Sequence, residues 1–411
     1  MTTAAERATY RDVFADPIFR VLFLTRSVAI GADTLRILAL SVLVFAITGS
    51  PLLTAVTFGI GFVPQVIGGT LLGSLADRLP PRGLIISGYL LECAVATVLG
   101  TVRLPVAVSL ALVGLVAMLT PIFAGASNRL VAETLRGDAY VLGRSLSSVA
   151  SGAAQLAGMA LGGVAVAALG PQRALLASAA CHLAVAVAVR LGLPRLARPT
   201  AGTGSAVRQG WAVTTRLLRD REVRGLLLVQ WVPPAFVVAA EALVVPYVQL
   251  RGFPAGSAGL LLACAPAGML LGNVVVGRML RPATRERLVV PLMVGLGTPV
   301  ALLAAPVPMP VVAVVLLLAG ATFTYSLGIQ RRFLEALDED HRGHAFALLA
   351  TGLMTLQGVG PAVIGAIAEV TSIGVAMVLA GAGTAACGLI WSFSQRRASP
   401  GTRAPEEALA G

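Results

Sequence analysis

Among the acids that stand inside long apolar runs, where a charge is expensive, Asp33 and Glu241 are the candidates for chemistry. At the centre of a bilayer such a charge costs about 2.5–3.5 kcal/mol on insertion scales, so each carboxyl asks for a partner or a wet cavity. Desolvation and nearby cations pull a buried carboxyl in opposite directions, which makes it a group that can exchange a proton as its surroundings change. Asp33 shares its run with Arg26 and Arg36. At ~100° per residue the three fall within ~80° of one another on a helix and form one polar stripe. Asp33 and Arg36, three residues apart, can pair directly. Proton exchange is therefore the chemistry these residues suggest, with a static Asp33–Arg36 pair as the alternative.

Other chemistries lack their residues. All 31 Lys+Arg positions are Arg, so a Walker A loop and a Schiff-base lysine are both impossible. No HExxH and no nucleophile elbow occurs, and no enzyme activity is expected. His341 and His344 lie in a loop without metal-ligand company, and Cys93, Cys181, Cys264 and Cys387 sit singly in apolar runs. Neither a metal nor a cofactor is implied. The three His and 19 acids leave a net charge of +12, but the Arg residues are scattered through short loops rather than gathered on one face, which excludes nucleic acid as a partner.

The elements that must position Asp33 and Glu241 are membrane helices. The chain is 411 residues long, 57% hydrophobic and only 12% charged, with a mean hydropathy of +0.87. Apolar stretches of roughly 18 residues or more recur throughout, each long enough to cross ~30 Å of hydrocarbon. Lipid gives backbone groups no hydrogen-bond partner, so these stretches are helices. Twelve spans are expected, at 21–47, 52–76, 83–102, 105–130, 140–169, 174–191, 225–249, 256–280, 288–305, 310–333, 345–370 and 374–393. The turns between them are marked by Thr48-Gly49-Ser50-Pro51, Gly170-Pro171, Ala305-Pro306 and Thr371-Ser372-Ile373-Gly374. Pro233-Pro234 is expected to kink the seventh span.

The Arg distribution orients the spans. With the N-terminus in the cytoplasm, the inner segments hold most of the Arg residues, including Arg7, Arg11, Arg78, Arg82, Arg136 and the group from Arg190 to Arg224. The outer loops then hold only Arg103, Arg173 and Arg251. This asymmetry predicts cytoplasmic N- and C-termini. Residues 1–20 contain no apolar stretch of the kind a cleavable signal needs and are expected to be a cytoplasmic segment.

The expected organisation is a six-helix bundle over 21–193, a cytoplasmic central loop over 194–224, a second six-helix bundle over 225–395 and a disordered tail over 396–411. In the central loop, Trp211, Val213, Leu217 and Leu218 alternate with Arg, a pattern that suits either a basic amphipathic helix on the inner leaflet or a solvated linker. Faint echoes join the halves. Gly158-Met159 with Gly162-Gly163 in the fifth span is matched by Gly360-Pro361 with Gly365 in the eleventh. The end of the second span (Gly73, Asp77, Arg78) is matched without its acid at the end of the eighth (Gly272, Gly277, Arg278).

These features resemble the major facilitator superfamily over essentially the whole chain. The sharpest element is the loop after the second span, where Gly73, Leu75, Asp77, Arg78 and Arg82 fit the family pattern G-x-L-x-D-R-x-x-x-R. Pro80-Pro81 departs from it. Gly158, Gly162 and Gly163 resemble the antiporter-associated Gly-Pro-x-x-Gly-Gly string, with Met159 in place of Pro. Gly31, Asp33 and Thr48-Gly49-Ser50-Pro51 resemble exporters of the macrolide and siderophore type.

The resemblance implies two six-helix bundles around a cavity that opens alternately to each side. In the family, spans one, four, seven and ten line that cavity. This makes Arg26, Arg36, Asn128, Arg129, Gln230, Tyr325 and Gln330 candidate lining residues, with Gln357 a further hydrogen-bonding candidate and Asp33 and Glu241 the proton-coupling candidates. The loop bearing Gly73, Asp77, Arg78 and Arg82 would close the inner side. Glu92 and His182, on spans peripheral in the family, are assigned to packing. The implied activity is proton-coupled efflux of a small amphipathic or hydrophobic molecule from the cell, with import or facilitated passage of a metabolite as the alternative within transport and a non-transporting sensor behind both. The implied partners are the lipid bilayer of the plasma membrane, a small-molecule substrate and protons, with the chain acting as a monomer.

Overall fold

A computed structural model describes residues 9–72, 79–194, 206–254 and 256–398, and every regular element among them is helical. Among the described residues, eleven helices are long and apolar enough to cross a membrane: Pro17–Thr48, Pro51–Leu72, Pro81–Thr101, Val106–Thr134, Asp138–Leu169, Pro171–Gly192, Arg221–Leu250, Ser257–Met279, Met309–Glu335, Glu339–Val370 and Ile373–Phe393. The ninth of the expected positions, 288–305, holds the shortest of the apolar helices, Val289–Ala304, and its last turn is 3₁₀. Pro299 lies inside it, and a Cβ at Gly297 would overlap the carbonyl oxygen of Gly381, so the helix packs closely on the last span. Span numbers below follow this order, with Val289–Ala304 as span nine.

The punctuation marks are helix starts. Pro17, Pro51, Pro81 and Pro171 each occupy the first turn of a span, where the missing N–H costs nothing. Asp16 accepts from the Phe19 N–H at 2.8 Å and Ser50 accepts from the Leu53 N–H at 3.1 Å. Span one ends on Gly49 at φ 63°, a conformation open to glycine.

Three spans are interrupted. Span two breaks between Gly59 and Phe62, four residues before Pro64, and span seven breaks at Leu243, with Pro246 four residues beyond Ala242. A proline ring clashes with the carbonyl four residues earlier, which accounts for both positions. In span seven the break is not at Pro233-Pro234, through which helix Arg221–Ala242 continues. Span ten breaks at Phe323-Thr324, where the Thr322 and Thr324 hydroxyls turn back onto the carbonyls of Ala319 and Ala321, each at 2.9 Å.

Packing repeats with a shift of six spans. In the first half the extensive pairs are three with six, one with six, one with five and two with four. In the second they are nine with twelve, seven with twelve, seven with eleven and eight with ten. Lipid tails give helices no hydrophobic reason to associate, so small residues that allow close approach dominate these contacts. A Cβ at Gly68 would overlap the Met118 carbonyl in span four, and one at Gly272 would overlap the Ala321 carbonyl in span ten. The central stretch forms helix Ala206–Arg219, which lays Leu217 (buried), Val213 and Leu218 against the second half. The Thr214 hydroxyl and the His344 ring share a 2.7 Å hydrogen bond. Leu217, Val213 and Leu218 therefore face protein, and the Trp211 side chain lies outside the described residues.

Candidate functional site

The polar stripe of span one meets two other helices at mid-depth. Asp33 and Arg36 lie at the middle of Pro17–Thr48, Glu92 at the middle of Pro81–Thr101 and His182 at the middle of Pro171–Gly192. Arg36 bridges both acids, 3.0 Å from the Asp33 carboxylate and 2.5 Å from that of Glu92. His182 Nε2 lies 3.4 Å from Asp33, and Tyr89 stacks on the imidazole. Arg36, Glu92 and His182 are buried, whereas the Asp33 side chain keeps 37% exposure. Arg36 therefore does not line a cavity as expected. It is the buried counter-charge of two carboxylates, a position the 2.5 Å contact to Glu92 dictates.

Glu92 and His182 were assigned to packing on family position, yet they complete this network. Their mid-span placement is the signal that finds them, because an ionisable group at mid-bilayer needs a partner. Asp33, Glu92 and His182 also offer ligand atoms within 4.8 Å of one another. That spacing would suit a metal ion, but the cation already between the carboxylates is the Arg36 guanidinium.

Below this network, toward the side carrying both described chain ends, lies a cleft of about 290 Å³ walled by spans one, four and five. Arg26, Ser27, Ser127, Asn128, Arg144, Ser147, Ser148 and Ser151 supply its polar lining, and Phe19, Leu22, Phe23 and Val131 the rest. Arg26 and Asn128 are thus placed as expected for lining residues. Arg129, one residue on, instead pairs with Glu133 at 3.3 Å. Arg144 and the serines of span five had no single-residue signal, since only their spacing on one helix face brings them together.

In the second half the expected residues divide. Tyr325 is 1% exposed, and its hydroxyl donates to the Val229 carbonyl at 2.9 Å. It ties span ten to span seven from a buried position. Gln230 donates to Leu226 of its own helix at 3.0 Å, Gln330 is exposed, and Gln357 is half-buried. Glu241 is half-buried beside the Leu243 break, whose N–H contacts the Ala240 and Glu241 carbonyls. Among the described residues no ion pair or hydrogen bond engages its carboxyl, and the neighbouring Ala239, Ala240, Ala242 and Leu243 belong to the main apolar core.

The glycine strings form the seams. Gly158 faces span one, where a Cβ would lie 2.7 Å from the Gly31 carbonyl oxygen; Gly360 faces span seven, 2.7 Å from that of Ala235. Gly162 packs against Leu35 and Leu38. Gly163 crosses between halves to Gly256 and Gly259, and Gly365 crosses to Ala55, while Pro361 packs on Gly59. The two seams are related by the same six-span shift as the bundles. Both run from mid-span to the end remote from the chain ends. At that end of the span two–span eleven seam, the Ser50 hydroxyl (2.8 Å) and the Leu52 N–H (3.2 Å) both donate to Glu369 of span eleven.

The profile of the Major Facilitator Superfamily matches residues 22–333. The chain belongs to the major facilitator superfamily. It is a multi-pass membrane protein and a secondary transporter. No curated protein sequence matches it. Among solved structures it is similar to the nucleoside transporter NupG, with TM-score 0.73 at 12% identity over 92% of this chain and 99% of that one. It is similar to a bacterial homologue of the human lysosomal transporter Spinster in an inward-facing, occupied conformation, with TM-score 0.69 at 13% identity over 92% and 96%. It is also similar to a POT family transporter in complex with a thioalcohol-conjugated peptide, with TM-score 0.69 at 10% identity over 93% and 96%.

Of the major facilitator loop after span two, Gly73, Asp77 and Arg78 lie outside the described residues. Arg82 is described: its guanidinium donates to the Arg190 carbonyl, tying the start of span three to the end of span six.

Proposed function

We propose that this major facilitator couples proton entry to the export of small amphipathic or hydrophobic molecules across the plasma membrane, as a monomer with cytoplasmic termini. The observation that carries proton coupling is the mid-span network. Two carboxylates share one guanidinium there, so with a neutral His182 the group is one positive charge short of balance. A single proton completes it, and the partly exposed Asp33 is the member that solvent reaches. Glu241, unpaired beside a helix break, is the second carrier. The Arg asymmetry supports the cytoplasmic placement of the cleft side.

Import is the second reading, favoured by Met159 in place of the antiporter proline and by the likeness to a nucleoside transporter and to a POT family transporter in complex with a conjugated peptide. Everted membrane vesicles holding an acidic interior separate the two. Export by antiport predicts that added substrate is taken up while the pH gradient collapses; uptake that needs no gradient supports facilitated passage.

The seam contact at Glu369 is proposed as the latch of the side remote from the termini. Hydrogen bonds to a charged group contribute about 1.5–3 kcal/mol each. Losing ~2 kcal/mol shifts a two-state equilibrium ~30-fold. Glu369→Ala is therefore expected to lengthen the separation of spin labels at Leu169 and Leu302, which lie at that end of each half. An unchanged distance distribution would refute the latch.

A further inference from the structure

We infer that the cleft of spans one, four and five receives the negatively charged group of an amphipathic organic anion, a carboxylate or a phosphomonoester. The inference rests on reading the chain as a transporter whose cleft takes cargo. The sequence alone leaves the sign of the cargo open, because Arg26 and Arg36 oppose Asp33 and Glu241. Among the described residues, the tertiary structure pairs some of these charges directly and leaves others without a direct partner. Arg36 is consumed by Glu92 and Asp33, and His182 Nε2 lies 3.4 Å from the Asp33 carboxylate on a second side. Glu241 lies on span seven and does not line the cleft.

What remains in the cleft is two cations and no acid. Arg26 and Arg144 both line it, both are exposed, and among the described residues neither has an ion-pair or hydrogen-bond partner. Arg26 stands ten residues into its helix, about 15 Å along the axis, deeper than a topology-setting Arg needs to be. The acid closest in sequence to the lining, Glu133, is engaged by Arg129. Asn128 and the hydroxyls of Ser127, Ser148 and Ser151 add neutral hydrogen-bonding groups beside the two guanidinium forks. Guanidinium matches carboxylate and phosphate by paired N–H donors, so the set is complementary to an oxyanion and repels an ammonium. Phe19, Leu22 and Phe23 supply the apolar wall for the rest of the molecule.

The test uses the purified full chain in neutral detergent and three probes that share one apolar body: 1-naphthoate, 1-naphthyl phosphate and 1-naphthylmethylamine. A ligand that binds the folded state raises the thermal midpoint. At least one anion is expected to raise it and the amine to leave it unchanged. Arg26→Gln and Arg144→Gln should each weaken the anion's apparent affinity by tenfold or more, and Arg26→Lys should retain part of it. The carboxylate and phosphate arms decide which oxyanion is preferred. Stabilisation by the amine, an anion effect that survives in the double Gln variant, or no shift with any probe would overturn the inference. Arg-dependent stabilisation by phosphatidylglycerol but by neither naphthyl anion would also overturn it, assigning the cleft to a lipid headgroup. Arg-dependent anion binding without proton-driven movement in vesicles would leave the inference standing and sink the coupling proposal. Movement of the amine alone would do the reverse.

Discussion

Arg36→Met is expected to destabilise the first half by about 3–5 kcal/mol, the cost of leaving a buried charge without its partner. Glu92 is the reason. It is buried, its carboxylate lies 2.5 Å from Arg36, and no other cation pairs with it among the described residues. Asp33 loses less, since His182 and its own exposure remain. Replacing a buried pair by apolar residues of similar volume is often neutral, so Arg36→Met/Glu92→Leu should recover most of the loss. Unfolding of both variants in mixed micelles, read as a double-mutant cycle, gives the coupling directly. A single Arg36→Met variant as stable as the parent would remove Arg36 from its proposed place as counter-charge.

Glu241→Gln is expected to abolish proton-driven accumulation in vesicles while leaving the amount of protein in the membrane unchanged. The substitution keeps the shape of the side chain and removes only its capacity to carry a proton. Among the described residues no fixed cation holds the Glu241 carboxyl, so gain and loss of a proton there breaks no ion pair among them, and the adjacent break at Leu243 gives the span a point at which to respond. Substrate exchange without a pH gradient should persist, which separates a coupling defect from a binding defect. Asp33→Asn provides the comparison: it acts inside the network, so it should impair coupling and lower stability together. Full gradient-driven transport in both variants would sink the assignment of the proton to these two acids.

Much of the architecture is legible in the sequence because the bilayer leaves few choices. Apolar runs must be helices, prolines and glycines mark their ends, and the echo of Gly158 and Gly163 in Gly360 and Gly365 discloses the repeat. The ninth span was legible too, expected at 288–305 and found at Val289–Ala304; what the sequence did not show is its 3₁₀ last turn and its close approach to Gly381. The break in span seven follows from the carbonyl four residues before Pro246, a rule that applies equally to Pro233-Pro234, where the helix nevertheless continues.

Which polar residues act together was decided by tertiary structure alone. Asp33 and Arg36 are neighbours by helical arithmetic, but Glu92 and His182 reach them from two other spans. Tyr325 looks like a lining residue until packing buries it against Val229. Residue type and period determine where a charge sits along the membrane normal, because desolvation depends on depth. They do not determine what it faces, because that depends on the rotation of each helix against its neighbours, set by close contacts such as Gly158 on Gly31. The same rotation engages Arg36 and leaves Arg26 and Arg144 in the cleft. The sequence thus determined a membrane transporter fold with costly mid-span charges, and the packing of the helices decided which of those charges remain for a substrate.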